Sequence, residues 1–207
     1  MRGGPRSRMR RYSGLPMSPF AELRTERLIL LPLGPNDVDH VAALNADPRV
    51  MEHFPSVLGR GDSDAFVERM AAHWADNGFG MWALRRRSDE LFLGFAGLGR
   101  PRFSAPFMPC VEIAWRLGAE HWGHGYASEA AQVALRVGFE MIDLEEIVSF
   151  TARSNLRSRR LMERLGMERD LAADFLHPLV PAGHALQAHV LYRLSRDAFR
   201  EQPRALA

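Results

Sequence analysis

Two glycines and two histidines stand together in HWGHGYASEA, residues 121–130, directly before a segment with helical periodicity. A strand that ends near Leu117 and a helix that begins near Tyr126 leave unpaired backbone N–H groups between them, at the positive end of the helix dipole. Gly123 and Gly125 permit backbone conformations closed to other residues and keep side chains away from a bound phosphate. The segment therefore predicts a phosphate-binding loop, with a tight strand-to-helix turn as the alternative.

The common phosphate-binding motifs do not describe this loop. The Walker pattern GxxxxGK[ST] needs a lysine, and all 27 basic residues of the chain are arginines. The dinucleotide pattern GxGxxG ends on serine rather than glycine at position 128. The spacing of the glycines alone therefore leaves the ligand open.

The elements around the loop predict one mixed α/β sheet. Short aliphatic or alternating segments predict strands over 24–33, 110–117, 147–152, 167–175 and 187–195, and a hairpin within 79–100 that turns at Ser88 and Asp89. Apolar residues at helical spacing predict helices from about 37 to 45, 62 to 77 and 127 to 141, and a short one from Ser154 or Asn155 to Gly166. We expect a mostly antiparallel sheet of six to seven strands flanked by helices.

Length and composition fit a single domain. The chain has 207 residues, of which 46 % are hydrophobic, enough for one substantial core. Residues 1–19 are basic and rich in glycine, proline and serine, which predicts a disordered extension with Met17 as a possible start. We therefore expect the domain at 20–200 and a tail at 201–207.

The glycine loop and its strand resemble the acyl-CoA-binding motif of the GNAT superfamily of N-acyltransferases, a strand followed by Q/R-x-x-G-x-G/A and a helix. In VEIAWRLGAEHWGHGYASEA, residues 111–130, Gly123 and Gly125 occupy the two glycine positions. Glu120 occupies the Q/R position, which is a departure from the pattern. A carboxylate there disfavours phosphate binding unless the side chain points away from the loop.

A second segment, NLRSRRLMERLGM, resembles the family pattern N-x-x-[AS]-x₇-G-[FM], with Asn155, Ser158, Gly166 and Met167 in register. RTERLILLPL and DPRVMEHFP resemble the opening of the Rim-type branch, which includes ribosomal-protein N-terminal acetyltransferases. The resemblance extends from about Leu23 to Leu194, so it covers the whole predicted domain.

The resemblance implies an acetyl-CoA-dependent N-acetyltransferase that acts on a primary amine, either a small molecule or a peptide or protein N-terminus. The amine attacks the thioester directly in a ternary complex, so the enzyme mainly positions the reactants. The residues that the resemblance assigns to acetyl-CoA are Trp115, Leu117, Gly123, His124, Gly125, Tyr126, Ala127 and Asn155.

The resemblance also implies roles in proton transfer. Glu112, on the strand that leads into the loop, is the candidate base, directly or through a water; the alternative is a solvent-facing or salt-bridged residue. A main-chain N–H near Ile113 to Trp115 would hold the oxyanion. Many relatives use a tyrosine as acid seven residues after the asparagine, but this chain has Met162 there, so Ser158 is the candidate substitute. Ordinary helix-surface or capping roles are the alternatives for Ser158 and Asn155.

Other site classes find less support. Cys110 is the single cysteine, so we expect no disulfide framework and a reducing, cytoplasmic environment. A nucleophilic role for Cys110 is disfavoured, because no histidine–aspartate arrangement lies beside it in the sequence. Five histidines fit no metal-binding pattern, so we expect no metal: His121, His124, His177, His184 and His189. No apolar stretch reaches the roughly 18 residues of a membrane span, so we expect no membrane partner.

Two functions of other classes remain open. Met162 and Glu120 favour an acyl-CoA-binding or regulatory domain that has lost catalysis. An arginine-rich RNA- or ribosome-binding protein would need a basic face, and the formal charge is only +2, with arginines clustered at the N-terminus and over 157–164. Nucleic acid is therefore a less favoured partner, and a homodimer is possible. The Pro- and Gly-rich loop 177–185 is expected beside the acceptor site.

Overall fold

An eight-stranded sheet forms the centre of the computed structural model, which describes residues 19–202. The predicted extension before residue 19 and the tail from 203 onwards lie outside the described residues. The strand order is β1-β2-β3-β4-β5-β6-β8-β7, and every neighbouring pair is antiparallel except β5 and β6. The strands are β1 Leu23–Arg24, β2 Leu28–Pro32, β3 Met81–Arg86, β4 Phe92–Gly99, β5 Glu112–Leu117, β6 Glu146–Ala152, β7 Glu168–Leu176 and β8 Ala188–Ser195.

Helices cover both faces of the sheet. They are α1 Val38–Ala46, α2 Arg60–Asn77, α3 Tyr126–Arg136, α4 Leu156–Arg164 and α5 Arg196–Glu201. The predicted end of α2 is confirmed, since Gly78 has a φ of +72° and its N–H donates to the Trp74 carbonyl.

The core consists of two apolar clusters, one on each face of the sheet, because successive residues of a strand point to opposite faces. On β3, Trp82 and Leu84 pack into the larger cluster, together with residues of α3 and α4. Met81 and Ala83 pack into the smaller cluster with residues of α1 and α2. We call the first the α3 face and the second the α1–α2 face.

Three details differ from the sequence predictions. The predicted strand 24–33 is bent into β1 and β2, because the Thr25 N–H donates to the Leu28 carbonyl, which accounts for the eighth strand. The helix predicted over 127–141 is α-helical only to Arg136 and ends in a π-helical turn, Val137–Met141. Helix α5 was not predicted; it follows an N-cap at Ser195, whose hydroxyl accepts from the Ala198 N–H.

The junction of β5 and β6 interrupts the sheet. Their parallel ladder contains a single Cα pair, Glu112 with Val148, and the Val148 N–H donates to the Val111 carbonyl. Past it, the Ser149 hydroxyl donates to the Ile113 carbonyl at 2.9 Å. The carboxyl-terminal halves of the two strands have no ladder pair within residues 19–202. A gap therefore opens there, and the loops to α3 and α4 lie at the same edge of the sheet.

We expect Ser149→Ala to destabilise the protein, because the buried Ile113 carbonyl loses its donor. Loss of one partner of a buried hydrogen bond costs about 1–3 kcal/mol, and each kcal/mol lowers Tm by roughly 2–4 °C in a domain of this size. Thermal unfolding measures the change, with exposed Ser104→Ala as the control. Equal Tm values for the two variants would contradict the structural role of this hydroxyl.

Candidate functional site

The free edge of β5 is the first component of the site. The Val111 and Ile113 carbonyls point toward β6, since they accept from Val148 and Ser149. Main-chain groups of alternate residues point to the same side of a strand, so the N–H groups of Trp115 and Leu117 also point into the gap. Trp115 carries the first N–H of β5 that faces the gap beyond the ladder.

The glycine loop provides further main-chain donors. Gly123 has a φ of +79° and Gly125 a φ of +80°, a region in which side chains are strained, so the predicted turn geometry is confirmed. Gly125 is the N-cap of α3, and residues 123–125 are exposed. Within residues 19–202 no partner accepts from the N–H groups of 123–128. The loop therefore presents open donors at a helix N-terminus, which suits an anion.

A charged clamp that sequence reasoning missed holds the start of α3. Arg27 forms an ion pair with Glu129 at 2.6 Å and donates to the His124 carbonyl at 2.8 Å. Its guanidinium lies 4.9 Å from the centre of the Tyr126 ring, and the Thr25 hydroxyl also donates to Glu129. The clamp fixes the first turn of α3 and places the Arg27 guanidinium, paired with Glu129, beside the glycine loop. The residues TER at 25–27 could not predict this clamp, because their partner Glu129 lies about 100 residues further along the chain.

Glu120, at the atypical motif position, is turned toward the start of the loop. Its carboxylate lies 2.9 Å from the point where a Cβ on Gly118 would stand and 3.5 Å from the His121 imidazole. The side chain is 63 % exposed. Solvent therefore screens its negative charge.

Glu112 lies on the α1–α2 face of β5, at the point where the ladder with β6 ends. It is half-buried, and no side chain within residues 19–202 forms an ion pair or hydrogen bond with its carboxylate, so the salt-bridged alternative is wrong. Burial without a compensating charge raises the pKa of Glu112 to about 8. The carboxyl is therefore a stronger proton acceptor than an ordinary glutamate.

Ser158 faces the gap from α4. Its oxygen accepts from Trp115 Nε1 at 3.3 Å and from Asn155 Nδ2 at 3.2 Å. A hydroxyl oxygen has two lone pairs, so both are used and the O–H remains as a donor. The structure thus brings together three residues predicted for the site, one each from the strand, the helix cap and the helix.

Asn155 is the N-cap of α4, so its alternative assignment is confirmed. Its side-chain oxygen accepts from the Ser158 N–H at 3.1 Å, and its amide donates to the Thr151 hydroxyl at 3.0 Å. Met162, at the position of the usual tyrosine, is 1 % exposed in the core of the α3 face. The position of the family's usual acid is therefore part of the core in this chain.

Aromatic and imidazole rings form a cluster on the α1–α2 face near Glu112. Phe150 follows Val148, the ladder partner of Glu112, by two residues and so shares its face. Ring centres lie 4.7–6.5 Å apart among Phe103, Phe107, Phe150, Phe175, His177 and His189. Burial and then the neighbouring His189 lower the pKa of His177 to about 4. The cluster is therefore uncharged at neutral pH and forms an apolar wall.

The remaining candidates have structural surroundings. Burial raises the pKa of Cys110 to about 11, which disfavours the nucleophilic thiolate. No group of three or more His, Cys, Asp or Glu side chains between residues 19 and 202 is arranged to hold a metal ion. Arg157, from the arginine-rich segment, stacks on Trp122 at 4.2 Å and pairs with Glu52. In the same described range, no helix is long and apolar enough to cross a bilayer.

Comparison with known proteins identifies similar sequences and folds. The family model of the GNAT acetyltransferase domain matches residues 27–168. The chain is 29 % identical to the N-acetyltransferase YnaD of Bacillus subtilis over 78 % of this chain and 89 % of YnaD. It is 31 % identical to the FsC-acetyl coenzyme A-N(2)-transacetylase of Aspergillus fumigatus, over 70 % of this chain and 64 % of that protein. A GNAT-family acetyltransferase of Bordetella pertussis superimposes with a TM-score of 0.70 at 27 % identity, over 84 % of this chain and 99 % of the other.

We expect Glu112→Gln to stabilise the protein at high pH. The folded-state pKa is raised from about 4.5 to about 8, so this group's favourable contribution is complete below pH 4.5 and is lost as the pH rises through 8. The glutamine variant avoids that loss, and its Tm should exceed that of the wild type by several degrees at pH 9 but not at pH 4.5. Thermal unfolding across this range tests the difference.

Glu140→Gln is the matched control, because Glu140 is exposed on the turn after α3. Its Tm should follow the wild-type curve at every pH. Parallel Tm curves for Glu112→Gln and the wild type would show that the Glu112 pKa is not raised by the fold.

Proposed function

The chain belongs to the GNAT family and is an N-acetyltransferase, and from this membership we propose that it transfers the acetyl group of acetyl-CoA to a primary amine by direct attack in a ternary complex. The amine belongs to a small molecule or to a peptide or protein N-terminus, and the reaction takes place in the cytoplasm. The Rim-type branch remains part of the proposal. The open edge of β5, flanked by two helix N-termini, is the observation that carries it.

The gap between β5 and β6 suits an extended ligand with amide groups. The Trp115 carbonyl and the main-chain groups of Leu117 face the gap and pair with the pantetheine amides as a neighbouring strand would. Asn155 lies at the far wall, where its side-chain amide is oriented by Thr151. The pantetheine arm therefore replaces the missing carboxyl-terminal half of the β5–β6 ladder.

The glycine loop suits the pyrophosphate. The open N–H groups of Gly123, His124, Gly125, Tyr126 and Ala127 point from the α3 N-terminus, where the helix dipole favours an anion. The Arg27 guanidinium, oriented by its ion pair with Glu129, adds fixed N–H donors beside them. Arg27 thereby supplies the donors that Glu120 does not.

Glu112 removes the proton from the attacking ammonium. Acetyl-CoA supplies an activated acyl group as a thioester, so the amine needs only to be deprotonated and placed near the carbonyl carbon. The unpaired carboxylate of Glu112, with its pKa near 8, accepts that proton directly or through a water. The free-base form of the enzyme therefore increases as the pH rises through 8.

Trp115 and Ser158 stabilise the negative charges that develop on the carbonyl oxygen and on the departing sulfur. The Trp115 N–H faces the gap and stabilises the oxyanion, as preorganised main-chain donors do. The Ser158 O–H, left over after its oxygen accepts two hydrogen bonds, donates to the departing sulfur. Coenzyme A thiolate is a good leaving group, so Ser158 contributes less than Glu112 does.

The phosphate site is tested by comparing the acetyl-CoA affinities of Gly123→Asp and Gly123→Asn, whose side chains have similar size but differ in charge. Asparagine and aspartate both tolerate its positive φ, and a Cβ there meets no atom within 4 Å. We expect Gly123→Asp to bind acetyl-CoA at least about tenfold more weakly than Gly123→Asn, about 1.4 kcal/mol, because a carboxylate repels the pyrophosphate. Calorimetry measures both affinities, and free pantetheine should bind the two variants equally. Equal acetyl-CoA affinities would leave the glycines as turn formers only.

The pH dependence of turnover tests the base. We expect the wild-type kcat/KM to rise with pH through about 8, the Glu112 pKa. Glu112→Gln should lose about 10²-fold or more in kcat and lose this inflection, because general base catalysis is typically worth that factor. Steady-state acetylation of an accepted amine from pH 6 to 10 measures both, with Glu140→Gln as the control. An unchanged profile in Glu112→Gln would assign the base to another group.

A further inference from the structure

Arg116 is a half-buried cation with a fully buried Nε, and the proposed mechanism does not use it. It lies on β5 opposite Phe95 of β4 and, like Glu112, on the α1–α2 face. Its Nη1 donates to the side-chain oxygen of Asn45, a neutral residue that is itself buried and donates to the Ser63 hydroxyl. The cation therefore rests on a neutral polar pair from α1 and α2.

Nothing within residues 19–202 neutralises the charge of Arg116. No aspartate or glutamate in that range forms an ion pair with it, and its Nε is buried without a hydrogen-bond partner. Desolvation lowers its pKa to about 10. A buried guanidinium is normally paired, since an unpaired charge in a protein interior is costly. The described structure is thus electrostatically incomplete at this point.

Phenylalanine rings enclose the guanidinium. Its central carbon lies 4.2 Å from the Phe54 ring centre, 5.4 Å from that of Phe95 and 5.7 Å from that of Phe66. Phe95 and Phe66 belong to the core, but Phe54 lies on the loop between α1 and α2 and is 39 % exposed. Phe54 therefore covers Arg116 on the solvent side, and a movement of this ring would open the donors to a ligand.

We propose that Arg116 binds a carboxylate on the acceptor, so that the preferred acceptor is an amine that also carries a carboxylate. This inference rests on the proposed function. A carboxylate fits because guanidinium donors form a planar fork that matches its two oxygens, and because it supplies the missing countercharge. The α1–α2 loop then selects the acceptor through Phe54.

The spacing along β5 suits such an acceptor. Glu112 and Arg116 are four residues apart on one face, about 13 Å between their α-carbons at the rise of a strand. The two side chains shorten this span, so an amine held near Glu112 and a carboxylate held near Arg116 belong to one short molecule or to adjacent residues of a peptide. The aromatic cluster around Phe150 borders the Glu112 end of this path.

Two pairs of acceptors with matched amines test the preference. The first is 4-aminobutyrate against n-butylamine, and the second is the dipeptide amide Ala-Asp-NH₂ against Ala-Asn-NH₂. We expect the wild-type kcat/KM for the acidic member of at least one pair to be higher by about tenfold or more, since hydrogen bonds to a charged group are worth that factor. The pair that shows the preference tells whether the carboxylate comes from a free amino acid or from a peptide side chain.

Arg116→Met should abolish this preference, bringing the ratio to about one, while the KM for acetyl-CoA stays unchanged. Arg116→Lys, which keeps the charge but loses the fork, should retain only part of it. Arg100→Met is the control: Arg100 also lies near a phenylalanine, at 5.8 Å, and also donates to an asparagine, but it is exposed. Its ratio should equal that of the wild type.

Stabilisation of each variant by acetyl-CoA in thermal unfolding shows that it is folded. The proposal is overturned if the wild type has no preference in either pair, or if Arg116→Met and Arg116→Lys, both folded, keep the wild-type ratio. Failure of the proposed function has a different signature: acetyl-CoA does not stabilise the wild type, or a broad amine panel yields no acetylated product.

Discussion

The single Cα pair between β5 and β6 is the constraint on which the other site features depend. One parallel pair, reinforced by the Ser149 hydroxyl, is enough to fix the two strands in the same sheet. Because the strands are parallel, both chain segments leave the sheet at the same edge and turn into helices there. Because the ladder then stops, main-chain groups of β5 remain available. A continuous ladder would keep both helix N-termini but would occupy the donors that a ligand needs.

Two ionisable groups on one face of β5 show how the fold distributes charge. Glu112 has a raised pKa and Arg116 a lowered one, and desolvation is the cause in each case. The two lie too far apart along the strand to neutralise each other. Other arginines that are shielded from solvent do have acidic partners, as Arg85 has in Asp37. Glu112 and Arg116 remain uncompensated because no oppositely charged side chain of the described residues pairs with either of them on the α1–α2 face.

Local features of the site were predictable from the sequence. Positive φ at Gly123 and Gly125, the helix that follows them and the cap at Asn155 depend on residues within a few positions, and each left a pattern of residue types. The number of strands was nearly right, with only the bend at Thr25 missed.

Long-range contacts were not predictable. Arg27 meets Glu129 across 102 residues, and Arg116 meets Asn45 across 71. The raised pKa of Glu112 depends on what packs around it rather than on its neighbours in the chain. Such contacts depend on how helices and strands pack after folding, and a single sequence contains no periodicity or spacing that encodes them.

The interrupted ladder also divides the molecule mechanically. Strands β1–β5 form one hydrogen-bonded unit and β6–β8 another, and few main-chain bonds join them at the junction. Units of this kind open separately in native-state amide exchange, because each has its own free energy of opening. A ligand that lies along β5 and contacts α4 touches both units, so it stabilises the contact between them. If acetyl-CoA binds as we propose, its occupancy of the gap raises the cooperativity with which the chain unfolds.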